Sequence, residues 1–158
     1  MTRVLSLLCA MFLLAGCMPG PDVTRLPKWQ KPADLPRFGD WIVDDCTILA
    51  NAGEVRAESS GKLSGGVMPV TFHLEMPLVR PPQAQMSGLP VALPLDGTSW
   101  TFRTYLAYDA TTVAHMMDPG TFLMLSYQPL NTSDTRQIHF DTRGLLQAAV
   151  HVGKVCGR

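Results

Sequence analysis

The chain has 158 residues, enough for one domain with a sizeable core. Its 13 Lys and Arg balance 13 Asp and Glu with no basic stripe, which makes nucleic acid and strongly anionic surfaces poor partners. Thirteen Gly and 13 Pro predict many turns and few long helices.

The chain opens with a small basic start, Met1-Thr2-Arg3, and an apolar run from Val4 to Ala15. That pattern describes a bacterial export signal. It is too short to span a bilayer as a helix. The run closes in Leu13-Leu14-Ala15-Gly16-Cys17, a tail that resembles the lipobox of bacterial lipoproteins. The resemblance implies cleavage before Cys17, a diacylglyceryl group on its thiol and acylation of the new amine. An ordinary cleaved signal with a buried cysteine is the alternative. Several acyl chains, each burying methylenes at about 0.8 kcal/mol apiece, anchor stably, whereas one chain binds weakly and reversibly. The expected mature protein starts at Cys17 and sits on a membrane without crossing it. In enterobacterial lipoproteins Asp after the cysteine favours inner-membrane retention. Met18 therefore implies the outer membrane, with the domain in the periplasm or at the cell surface. No later segment is long and apolar enough for a membrane helix.

Residues 17–37 read as a tether. Pro19, Pro21, Pro27, Pro32 and Pro36 alternate with polar residues, a composition that extends a chain and stiffens it. Trp29 within it is read as an incidental exposed aromatic; docking on the domain or contact with lipid headgroups are the alternatives. Residues 1–16 are thus the signal, 17–37 the tether and 38–158 a β-rich envelope domain.

The domain's first expected strand is Gly39 to Ile48, with a bulge near Asp44-Asp45. Adjacent carboxylates on a strand point apart, so this pair is read as solvated edge charge rather than an acid/base site. Glu54 to Ser60 is a short strand, followed by a glycine-rich turn. Val67 to Met76 alternates, with Val70, Phe72 and Leu74 on one face and Thr71, His73 and Glu75 on the other. Pro77 to Gly97 is a long, proline-rich, apolar segment. It is read as core cover with an edge strand at Leu89 to Leu93, and an exposed recognition loop is the alternative. Ser99 to Tyr108 alternates as a strand, with Trp100, Phe102, Thr104 and Leu106 on one face. Thr111 to Met117 is a short helical turn before Asp118-Pro119-Gly120. Thr121 to Gln128 and Gln137 to Asp141 form a hairpin. Thr142 to His151 is the best helix, with Leu145, Ala148, Ala149 and Val152 on one face. The sum is a mainly β fold, a small antiparallel sandwich or barrel with one short C-terminal helix.

Cysteine arithmetic adds a staple. Cys9 leaves with the signal and Cys17 is lipidated, which leaves Cys46 and Cys156 in a compartment that permits disulfides. Their bridge would contribute about 4–5 kcal/mol through loop-closure entropy. Two free thiols or an intermolecular bridge are the alternatives. No Cys or His spacing supplies a closed metal ligand set, and no metal or cofactor is expected.

Phe38-Gly39-Asp40-Trp41 followed by Cys46 resembles the opening of the invasion-associated locus B family of exported proteobacterial proteins. Leu93-Pro94-Leu95-Asp96-Gly97, Phe102-Arg103-Thr104, Ala114, Gly120, Tyr127-Gln128 and Gly144-Leu145-Leu146-Gln147-Ala148-Ala149 follow collinearly, over residues 38–152. Members often carry a cysteine pair after the mid-domain strand, where Tyr105 to Val113 has none, and most have a soluble export signal. The resemblance implies a β-rich envelope domain, in some bacteria associated with host-cell entry, and no catalytic residues.

The residues themselves offer no nucleophile elbow, phosphate loop or zinc-protease motif. His115 near Asp118 and His139 beside Asp141 are the sole acid/base candidates, and scattered surface residues explain them more simply. The expected function is an accessory or binding lipoprotein of the envelope, without catalysis. Its protein partner, in a secretion or conjugation assembly or on a host surface, would meet a sheet edge or the Pro77 to Gly97 loop. An inhibitor of an envelope hydrolase such as lysozyme is the alternative, and a hydrolase is a third reading.

Overall fold

The computed structural model describes residues 35–157, apart from 90, 91 and 99. Cys17, Trp29 and the export signal lie outside the described residues.

The first strands are β1 (Arg37–Phe38), β2 (Trp41–Asp44), β3 (Thr47–Ala52), β4 (Val55–Ser59) and β5 (Val67–Leu74). The long proline-rich segment holds β6 (Gln83–Met86), β7 (Ala92–Leu93) and β8 (Asp96–Gly97). Then come β9 (Thr101–Ala107), helix α1 (Ala110–Met117), β10 (Phe122–Tyr127), β11 (Arg136–Asp141) and helix α2 (Thr142–Val155). One seven-stranded sheet runs β1-β2-β3-β4-β5-β9-β8 and one four-stranded sheet runs β11-β10-β6-β7. All pairings are antiparallel. The chain is therefore sandwich-like, with two separate sheets rather than a closed barrel.

Alternation explains the core. On β5, Met68, Val70, Phe72 and Leu74 are buried while the residues between them are half-buried. On β10, Leu123, Leu125 and Tyr127 turn inward. The two inner faces meet through aromatic rings. Phe140 of β11 lies 5.9 Å from Phe72 and 5.7 Å from Trp41, centroid to centroid. Each such side chain stabilises the fold by about 1.5–3 kcal/mol on burial. Helix α2 contributes Leu145, Leu146, Ala148 and Val152 to the same core, with Ala149 partly covered beside them.

Three expectations change. The single strand from Gly39 to Ile48 is a hairpin. Asp45 and Cys46 both have positive φ (41° and 66°), and they reverse the chain between β2 and β3. The alternation read across them therefore breaks, and Trp41, Ile42 and Val43 are all buried. Trp100 precedes β9 instead of starting it and stays 42% exposed. The turn after Asp109 is a full α-helix, because the Asp109 carboxylate accepts from the Thr112 backbone N–H at 2.9 Å and caps α1. Pro77 to Gly97 is core cover as expected, with its edge strand narrowed to Ala92–Leu93. Leu78, Leu89, Leu93 and Leu95 pack on the core, and β6 pairs with both β10 and β7.

Candidate functional site

Cys46 and Cys156 meet. Cys46 Sγ and Cys156 Sγ are 2.01 Å apart, joining the β2–β3 turn to the end of α2.

Phe38, Gly39, Asp40 and Trp41 form a joint between the first strands and the start of α2. The Trp41 indole N–H donates to the Asp141 carbonyl at 2.6 Å, and the Asp40 carboxylate accepts from the Asp141 N–H at 3.1 Å. The Asp141 side chain in turn caps α2, accepting from the N–H groups of Arg143 (3.2 Å) and Gly144 (2.9 Å). Gly39 adopts φ +57° beside that carboxylate, where a Cβ would collide with it. A Cβ on Gly144 would strike the Phe38 carbonyl oxygen. These residues thus satisfy backbone groups at a junction, and none projects a reactive group into a cavity.

The histidine candidates are also occupied structurally. His115 Nε2–H donates to the Ser87 carbonyl at 2.6 Å, which straps α1 onto the turn after β6. Its Nδ1 lies 3.9 Å from Asp118. His139 packs on Phe122, with ring centroids 5.8 Å apart, and Asp141 is committed to capping. The structure does not assemble either pair with a nucleophile. His73, placed on the polar face by alternation, lies beside Glu58 (3.5 Å) and Arg56. Burial first, and the Arg56 charge second, hold its pKa below the ordinary value. Among the described residues no cluster of His, Cys, Asp or Glu could hold a metal ion. No helix there is long and apolar enough to cross a membrane.

Two surfaces stand out instead. The first is the outer edge of β11. Thr142 N–H donates to the Thr121 carbonyl, toward β10, whereas both backbone groups of Asp141 point the other way, to Asp40 and Trp41. In an antiparallel ladder this sense alternates. Gln137 and His139 therefore direct their N–H and C=O groups outward, and both residues are exposed. Beside them a cleft of about 630 Å³ is lined by Ala52, Gly53, Glu54, Tyr127 and Arg136 together with this edge. One wall is braced by Arg136, whose guanidinium donates to both Glu54 carboxylate oxygens at 2.6 and 2.5 Å. The Tyr127 hydroxyl donates to the same carboxylate at 3.2 Å. Burial, then the Glu54 charge, push the Tyr127 phenol above its ordinary pKa.

The second surface is an apolar groove of about 510 Å³ where α1, α2 and β1 meet, walled by Phe38, Val113, Met117, Leu146 and Val150. Phe38 packs against His151 at a ring-centroid separation of 5.3 Å. Tyr108 and Val150 separate this groove from a neighbouring hollow of about 550 Å³, lined also by Gly61, Lys62, Leu63 and Gly153. The sequence concealed the groove because its residues come from three distant stretches of the chain.

No family model matches the chain, and no curated protein and no solved structure matches it. What the fold and its surfaces define is a class: a disulfide-closed antiparallel β-sandwich with a helical flank, an outward-facing strand edge and an apolar groove.

Proposed function

We propose that the chain is an acylated lipoprotein of the outer membrane, anchored through Cys17, whose β-sandwich is a non-catalytic binding module for a protein partner in the envelope or on a host surface. The outward backbone groups of Gln137 and His139 on β11 carry this reading. A strand edge beside a cleft offers a partner main-chain hydrogen bonds, with side-chain pockets for selectivity. The edge is short and capped at one end by Asp40 and Trp41, which suits one extended segment and discourages open-ended stacking. The Leu13 to Cys17 lipobox supports the anchor, and the collinear resemblance over residues 38–152 supports an envelope role. The proline-rich segment is the weaker docking candidate, since its leucines pack on the core.

The test has two arms. Mass spectrometry of the mature N-terminus should find Cys17 carrying acyl chains, and an unmodified or different N-terminus would remove the anchor. Affinity capture from crosslinked membranes should recover one reproducible partner with the native chain and lose it with His139→Pro. The His139 N–H points away from β10, so proline there deletes an outward donor while leaving the ladder intact. Undiminished capture by a folded His139→Pro chain would refute the edge as the docking site.

A further inference from the structure

The groove between α1, α2 and β1 has an ordered polarity. On α2, Leu146, Val150 and Lys154 follow at four-residue spacing, so they share one stripe of the helix. That stripe covers about 12 Å along the helix axis. On α1, Val113 and Met117 form a second apolar stripe, and Phe38 closes the wall. Met117 and Val150 are 44% and 49% exposed, so among the described residues this apolar surface is open. The α2 stripe is thus apolar over its first part and ends in a lysine.

The charge around it has one sign. His151 and Lys154 line the groove, Lys62 lines the neighbouring hollow across Tyr108 and Val150, and no carboxylate lines either. Among the described residues neither lysine has an ion-pair partner. The chain as a whole balances 13 Lys and Arg with 13 Asp and Glu, so this is local segregation. Lys154 stands in the last turn of α2, where the helix dipole favours a cation without any ligand. Lys62 lies in the segment between β4 and β5, and the α2 dipole gives no reason for it.

The two helical walls bond their backbone groups internally. An extended peptide laid between them would strip water from its own N–H and C=O groups and find no partners for them. An alkyl chain carries no such groups. A concavity of about 510 Å³ with mostly apolar walls and a few polar groups has the size and lining of a small-molecule pocket. We propose that this groove binds a single-chain amphiphile with an anionic head, such as a fatty acid. The alkyl chain lies against Leu146, Val150 and Met117, and the head meets Lys154, with Lys62 adding charge from the neighbouring hollow. The groove shares no residue with the cleft beside β11, so this site stands or falls independently of protein binding at that edge.

The experiment uses the expected mature chain from residue 17 with Cys17→Ser, so that no acyl chain of its own competes. Calorimetric titration with dodecanoate below its micelle concentration should show binding at one site. Dodecyltrimethylammonium, with the same chain and a cationic head, should bind at least about fivefold more weakly, the upper effect of one exposed ion pair. A fully buried methylene tightens binding about fourfold, and the groove is open on one side, so the step from decanoate to dodecanoate should gain about fourfold in all. Methyl resonances of Met117 and Val150 should move on titration, while those of Val70 and Leu125 in the core stay in place. Val150→Asp should abolish binding, and Lys154→Glu should remove the preference for the anion. Both side chains are exposed, and unmoved core resonances check that both variants are folded. Equal affinity for the two head charges would overturn the proposal, as would dodecanoate bound with the Met117 and Val150 methyls unmoved. It would also be overturned if dodecanoate failed to saturate any site. Sedimentation of the chain on phosphatidylglycerol vesicles in that case would assign the face to a membrane surface, and a dimer dissociated by Val150→Asp would assign it to a second copy.

Discussion

The Cys46–Cys156 bond permits the sharpest energetic test. It spans 110 residues of sequence separation. Loop-closure entropy for that span contributes about 4.8 kcal/mol at 25 °C, nearly as much as the whole stability of many domains. Replacing both cysteines by serine should therefore remove about 4–5 kcal/mol. With a urea slope of about 1–3 kcal/mol/M, the unfolding midpoint falls by roughly 1.5–5 M. The turn adds a second, opposite effect. Asp45 and Cys46 both carry positive φ, the geometry of a type I′ hairpin turn, which an Asp-Gly pair fits best. A β-carbon at the second position costs about 1 kcal/mol. Cys46→Gly with Cys156→Ser should thus be about 1 kcal/mol more stable than the double serine variant. Urea unfolding followed by circular dichroism, with and without reductant, measures both. A double serine variant within about 1 kcal/mol of the native chain would refute the entropic argument. It would mean that the denatured ensemble is already restricted by other contacts. A double serine variant as stable as the glycine form would refute the strain argument alone.

Three further outcomes follow from the joint and the polar clusters. Gly144→Ala should destabilise by about 2–3 kcal/mol in thermal unfolding, although alanine is the better helix former by about 1 kcal/mol, because its Cβ would strike the Phe38 carbonyl; a stabilised variant would refute the joint. Glu54→Gln should lower the Tyr127 phenol pKa toward its ordinary value while leaving it raised, since burial is the larger cause; ultraviolet pH titration reads this, and an unchanged pKa would contradict the contact. His73 has a folded pKa below 6.5, so the folded state binds its proton less readily than the unfolded chain. Its contribution is complete above pH 6.5, decreases as pH falls toward the lowered folded value and then levels off. His73→Gln should remove that slope from denaturant midpoints, and an identical slope in the variant would show that another group causes it.

Where one physical pattern governs a stretch locally, the sequence was sufficient. Two-residue alternation placed Val70, Phe72 and Leu74 inward on β5, and the turn-rich residues after Tyr127 predicted the β10–β11 hairpin. The apolar spacing of Leu145, Ala148 and Val152 predicted the core face of α2. Reading the Leu13 to Cys17 tail as a lipobox set Cys17 aside, and cysteine arithmetic then left Cys46 and Cys156, the pair that bonds. The resemblance of the Leu13 to Cys17 tail to a lipobox, and the expectation of an outer-membrane address drawn from Met18, rest on the sequence alone. Tertiary structure decided everything that depends on distant partners. Asp45 and Cys46 read as the middle of a strand, and the positive φ that turns them into a hairpin is enforced by the Trp41–Ala50 and Val43–Ile48 pairings across it. His115 looked like an acid/base candidate until the Ser87 carbonyl, 28 residues away, claimed its Nε2–H. Gly144 and Asp141 gained their roles from Phe38, Asp40 and Trp41, about 100 residues earlier in the chain. The β11 edge and the α1–α2 groove exist for the same reason. Hydrogen-bond direction and cavity shape arise when separate segments are fixed against one another, and no local period in the chain encodes either.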